Sequence, residues 1–173
     1  MKIKLLILLA FFACSCSSEH FIIDSKKDVY INYPLKPKEY KTFDLKATIE
    51  FKENYRADKT EWVGFIVNSG VNNPLHGKDQ GYLCFIRENG EVGIHTSIRN
   101  EDIRVDRFVD LHSDKNTIRL TFDGTTLKYY VNDILVFAEQ PLHLKSGYIN
   151  CNAGGTKAEI SQFSIHSTII NSL

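Results

Sequence analysis

Phe43-Asp44-Leu45-Lys46-Ala47-Thr48-Ile49-Glu50-Phe51 alternates apolar and polar residues without a break. Side chains on a β-strand point to opposite faces in turn, so strict period two marks a strand with one buried and one wet face. Working outward, the same grammar recurs. Trp62 to Asn68 and Tyr82 to Arg87 read as strands, and Glu88-Asn89-Gly90 supplies a hairpin turn after the second. Val92, Ile94, Thr96 and Ile98 then alternate with Gly93, His95, Ser97 and Arg99. Ile118, Leu120 and Phe122 run into Asp123-Gly124, a second turn signal, and out through Leu127, Tyr129 and Val131. Val29–Tyr33, Ile134–Phe137, Tyr148–Cys151 and Ala158–Ile165 complete the strands. In the last, apolar parity shifts between Ile160 and Phe163, which predicts a bulge near Ser161. No segment after residue 16 keeps a helical period. About ten short strands with Gly, Asn and Asp turns predict an all-β sandwich or barrel. Asn68–Gly81 and Asn100–Asn116 read as long loops.

The N-terminus has a different character. Lys2 and Lys4 precede an apolar run, Leu5–Ala13, too short for the roughly 20 residues that span a bilayer but of the right form for an export signal. Ala13-Cys14-Ser15-Cys16-Ser17-Ser18 follows and resembles the lipobox of bacterial lipoproteins. Cys16, followed by a polar stretch, is the expected lipidation site, with Cys14 as the alternative; a secretory signal without lipid is the competing reading. The expected organisation is a signal and lipobox over 1–16, a polar tether over 17–27, a sandwich over 28–168 and a tail over 169–173. The implied location is the bacterial cell envelope, with membrane attachment through the lipid.

The chain has 21 basic and 21 acidic residues; loss of Lys2 and Lys4 leaves 19 against 21, a net charge of −2. Without a basic excess, neither nucleic acid nor an anionic membrane surface is an expected partner. Cys84 and Cys151 are the cysteines outside the lipobox. An exported chain permits a disulfide between them, and two buried thiols are equally compatible.

Three stretches resemble the concanavalin A-like jelly-roll superfamily, especially its laminin G-like and 3-keto-disaccharide hydrolase-type domains. They are Thr117–Gly124 with Leu127–Asn132, Ser146-Gly147-Tyr148-Ile149, and Ile160–Ile165. The turn Asn132-Asp133 departs from that family's Asn-Gly. The resemblance implies a jelly-roll β-sandwich and a carbohydrate-linked role. It transfers no catalytic residue.

No two of the Asp and Glu residues stand two positions apart, so no single strand offers the carboxylate pair that glycosidases set about 5–9.5 Å apart. The six histidines form no H-x-H or H-E-x-x-H, and there is no G-x-S-x-G. Asp79 or Asp102 could hold calcium in the long loops, but solvated loop carboxylates are commoner; the expectation is no metal and no cofactor. Parity leaves a binding surface. Val63, Phe65 and Val67 oppose Trp62, Ile66 and Asn68; if Cys84 and Ile86 point inward, Phe85 and Arg87 point out with His95 and Arg99. Trp62, Phe85, Arg87, His95 and Arg99 are therefore expected on one face of a three-strand meander, with Asn68 at its rim and Asn72 or His76 folding over it. Such a mixture suits a glycan. A glycoside-cleaving enzyme and an envelope interaction domain are the alternatives.

Overall fold

The computed structural model describes residues 19–26, 29–35, 38–70, 81–96, 103–140 and 146–167. Among them are twelve strands and no helix. They form two six-stranded antiparallel sheets in the jelly-roll manner. The first sheet has β1 (Glu19–Asp24), β12 (Thr156–His166), β3 (Phe43–Asn54), β8 (Asn116–Phe122), β9 (Leu127–Val131) and β10 (Ile134–Glu139) in that order. The second runs β2 (Tyr30–Pro34), β11 (Tyr148–Gly154), β4 (Trp62–Ser69), β5 (Tyr82–Arg87), β6 (Glu91–Thr96), β7 (Ile103–Phe108).

The alternating stretch does what its period dictates. Phe43, Leu45, Ala47 and Ile49 of β3 are buried against the facing sheet. Val63, Phe65 and Val67 of β4, Cys84 and Ile86 of β5, and Val92 and Ile94 of β6 meet them from the other side. Full burial of each Val, Ile or Phe contributes about 1.5–3 kcal/mol, so this seam between the sheets is the main source of stability. Tyr129 of β9 crosses it, and its hydroxyl donates to the backbone carbonyl of Phe85 at 2.7 Å. Burial holds that phenol well above its ordinary pKa, so it stays a donor.

The turns follow local chemistry. Gly90 holds φ +93° between β5 and β6. Asn132 and Asp133 both take positive φ, +48° and +64°, as a two-residue hairpin whose twist matches its strands requires. Asn132 steadies that turn by accepting from the Thr117 backbone N–H at 2.9 Å. Register breaks between Ser161 and Ser164, and Gln162 holds φ +50°, which is the bulge expected from the parity shift.

Several expectations are corrected. Glu19–Asp24 is an edge strand paired with β12, not part of a tether, so the sandwich begins before residue 28. Its Ile23 is buried in the core, and Phe21 stacks on Tyr33 of β2 at 4.6 Å. Alternate apolar residues in a polar stretch were enough to fill the edge. The supposed loop 100–116 contains β7, paired along its length with β6. The Asp123-Gly124 turn is wider than two residues, because Phe122 pairs with Leu127 and four residues lie between. Cys84 and Cys151 are both free and buried. Each pairs with Phe65 from opposite sides of β4, which places them two strand spacings, roughly 9.6 Å, apart. A disulfide needs Cα atoms within about 7 Å. Cys14, Cys16, Asn72, His76, Asp79, Arg99 and Asp102 lie outside the described residues.

Candidate functional site

The outward face of the second sheet is where the sequence-derived candidates meet. Strands β4, β5 and β6 are consecutive neighbours, and pairing aligns their outward residues in rows. One row runs Asn32, Asn152, Gly64, Phe85, Gly93, Asp106 across all six strands. The next brings Tyr30, Gly154, Trp62 and Arg87 together. On the other side, Ile66, Leu83 and His95 align.

The aromatic residues form a connected platform. The Trp62 ring lies 5.6 Å from Tyr30 and 6.3 Å from Phe85, and Phe85 lies 4.8 Å from His95. The Arg87 guanidinium sits 5.1 Å above the Phe85 ring, a cation–π distance. Glycines make room beneath. A Cβ on Gly154 would come within 2.8 Å of Trp62 Nε1, and one on Gly93 within 2.9 Å of Phe85 Cζ. The rings can lie low against the sheet because those positions carry no side chain.

The face is less wet than parity alone implies. Ile66, Leu83 and Phe85 are buried in a second apolar cluster, separate from the main core, with Trp62 partly buried against it. Phe85 points outward as expected, yet it is only 2% exposed. It belongs to a packed layer whose upper surface is Trp62.

Both carboxylates described on the face have partners there. Arg87 Nη1 donates to Glu91 at 2.5 Å, and His95 Nε2 lies 2.7 Å from Asp106. Glu91 is thus ion-paired and Asp106 hydrogen-bonded, and they are the carboxylates that the β6–β7 register brings onto this face.

Polar groups without protein partners set the face apart. Buried side-chain nitrogens and oxygens are normally hydrogen-bonded, and leaving one unmade costs about 1–3 kcal/mol. Arg87 Nε and Asn152 Oδ1 on this face are such atoms, and so are Nδ2 and Oδ1 of Asn68 near the end of β4. Asn68 is also conformationally unusual. Tyr148 pairs with Ser69 and Asn150 with Ile66, so Val67 and Asn68 together oppose Ile149. In this bulge Asn68 holds φ +56°.

Of the residues singled out from sequence, Trp62, Phe85, Arg87 and His95 share the face, and Asn68 sits in the bulge near the end of β4. Tyr30, Asn32, Asn152 and Asp106 were missed. Asn150 and Asn152 alternate with Ile149, Cys151 and Ala153, so their outward parity was readable. Their place beside β4 was not, because β11 reaches it only after the chain has built the other sheet.

The opposite sheet has a shallow hollow lined by Asp44, Lys46, Arg119, Asp133, Ser164 and His166. Arg119 forks onto Asp44 at 3.0 and 2.7 Å, and no Trp, Tyr or Phe lines the hollow, so it lacks the stacked platform of the first face.

No protein-family model and no curated protein sequence matches the chain. Solved structures do resemble it. The carbohydrate-binding module CBM66 from Bacillus subtilis superposes with a TM-score of 0.64 at 17% identity, over 84% of this chain and 86% of that one. The carbohydrate recognition domain of Emp46p, in its potassium-bound form, gives 0.62 at 15% identity over 87% and 84%. A putative glycosyl hydrolase from Parabacteroides distasonis gives 0.54 at 12% over 77% and 75%. At these identities the likeness is one of fold: an all-β jelly-roll sandwich.

Proposed function

We propose that the chain is a carbohydrate-binding domain whose outward face on the second sheet, centred on Trp62, receives the glycan. One observation carries this reading: a buried amide oxygen without a protein partner, Asn152 Oδ1, sits on the same face as a connected aromatic platform. Aromatic faces pack on the apolar face of a sugar ring, while amides bond its hydroxyls. The fold likeness to a carbohydrate-binding module and a carbohydrate recognition domain supports the same reading. The test is a glycan array probed with the wild-type chain and with Trp62→Ala. The reading expects discrete wild-type hits that the variant loses. Hits retained at full strength by Trp62→Ala would remove this face from consideration.

The N-terminal sequence supports a cellular setting for that activity. A basic start, a short apolar run and Ala13-Cys14-Ser15-Cys16 match an exported, lipid-anchored protein of the bacterial envelope that captures glycans at the membrane. Mass spectrometry of the chain purified from a membrane fraction should find a lipid-modified cysteine at the N-terminus, at Cys16 or else Cys14. An unmodified N-terminus downstream of Cys16 would overturn the lipoprotein assignment.

A further inference from the structure

We infer that the ligand is a neutral oligosaccharide laid along β4, with Asn152 and Asn68 reading its hydroxyls at separate points; this rests on the carbohydrate reading above. The first argument is charge. The Arg87 guanidinium is already matched by Glu91 at 2.5 Å, and the His95 ring is hydrogen-bonded to Asp106 at 2.7 Å. An anionic sugar would bring a further negative charge beside Glu91 and Asp106, where the Arg87 charge is already matched. A neutral one leaves both pairs intact and bonds through hydroxyls, which both donate and accept.

The second argument is the placement of the unmatched amides. Asn152 is level with Gly64 across the β11–β4 pair, and Asn68 lies four residues further along β4. At about 3.4 Å per residue along the strand and about 4.8 Å between strands the two stand roughly 14 Å apart. Trp62 lies two residues to the other side of Gly64, so platform and amides together cover about 20 Å of strand. One sugar ring cannot reach the stacking surface and both amides; a chain of rings can.

The third argument is that each amide is held at a cost. Asn68 is 9% exposed and Asn152 fully buried, and neither the Asn68 amide nor Asn152 Oδ1 finds a protein partner. Asn68 adds a left-handed backbone within a bulge, a device that re-aims side chains beside binding sites. The Asn152 amide is steadied by donating to Asn32 Oδ1 at 3.1 Å, which leaves its oxygen to accept from a ligand hydroxyl.

The experiment is calorimetric titration of the purified full chain with neutral gluco-, manno-, xylo- and fructo-oligosaccharides from disaccharide to hexasaccharide, and with uronic-acid oligosaccharides of matching lengths. At least one neutral series should bind, gaining about tenfold or more in affinity from disaccharide to hexasaccharide and changing little between low and high salt. Asn152→Ala should weaken hexasaccharide binding about tenfold while its denaturation midpoint shows a folded domain. Asn68→Gly, which its backbone geometry favours, supplies the same test if Asn152→Ala does not fold. Tighter binding of uronic-acid oligomers, or equal affinity for disaccharide and hexasaccharide, would overturn this inference and leave the carbohydrate reading standing. Binding of neither class would overturn both.

Discussion

Replacing Asn68 by glycine should leave the domain as stable as the wild type or make it more stable, although most substitutions at buried positions destabilise by about 1 kcal/mol or more. Three terms decide the sign. Asn68 is buried, with its amide nitrogen and oxygen both lacking protein partners; removing such groups recovers about 1–3 kcal/mol of desolvation. At φ +56° glycine is unstrained, and asparagine tolerates that region better than other residues with a Cβ, so relief of strain adds little. Against this, glycine's freedom in the unfolded chain costs about 0.4–1 kcal/mol. The net is roughly 0 to +2 kcal/mol, a rise of up to about 8 °C at 2–4 °C per kcal/mol for a domain of this size. Asn68→Ala should fall below Asn68→Gly, because alanine keeps the Cβ that the left-handed backbone penalises. Urea denaturation followed by circular dichroism measures all three proteins. A drop of more than about 1 kcal/mol for Asn68→Gly would mean that the Asn68 side chain holds the fold together, and the idea that it is held in reserve for a ligand would be wrong.

Other expectations concern the scaffold. Gly124 holds φ +100°, so Gly124→Val should lower stability by about 1 kcal/mol or more; an unchanged denaturation midpoint would contradict the loop geometry. Asp123 accepts from the backbone N–H groups of Thr126 and Thr125, both at 2.8 Å, and these bonds, that of Thr126 foremost, hold its carboxyl below the usual range. A depressed folded pKa gives stability that is present above the unfolded value near 3.9 and lost as pH falls through the folded value. Asp123→Ala should therefore cost more stability at neutral pH than in acid below about pH 3, and a loss independent of pH would refute the carboxylate's role.

How much of this was legible in the sequence depends on whether the deciding contact is local. Parity fixes which way Trp62, Phe85, Arg87 and His95 point, and the Glu88–Gly90 turn makes the strands of Phe85, Arg87 and His95 neighbours; the place of Trp62 beside them rested on expecting a meander, which the β4–β5 pairing supplies. Asn152 enters the site only because β11 inserts between β2 and β4, a long-range pairing that no local pattern encodes. The same limit hid the edge strands. Glu19–Asp24 and Ile103–Phe108 are mixed in polarity, and each is a strand because a partner, β12 or β6, offers it a ladder. Burial was the other gap: alternation places Phe85 outward but cannot say that Trp62, Arg87 and His95 close over it.

Trp62 is the chain's only tryptophan, so its fluorescence reports on the proposed face and nowhere else. A neutral oligosaccharide that binds by calorimetry should shift or change the intensity of Trp62 emission with the same saturation curve, as the indole beside Tyr30 and Phe85 exchanges water for sugar. Calorimetric binding that saturates while the emission stays constant would place the ligand elsewhere on the sandwich and contradict the account.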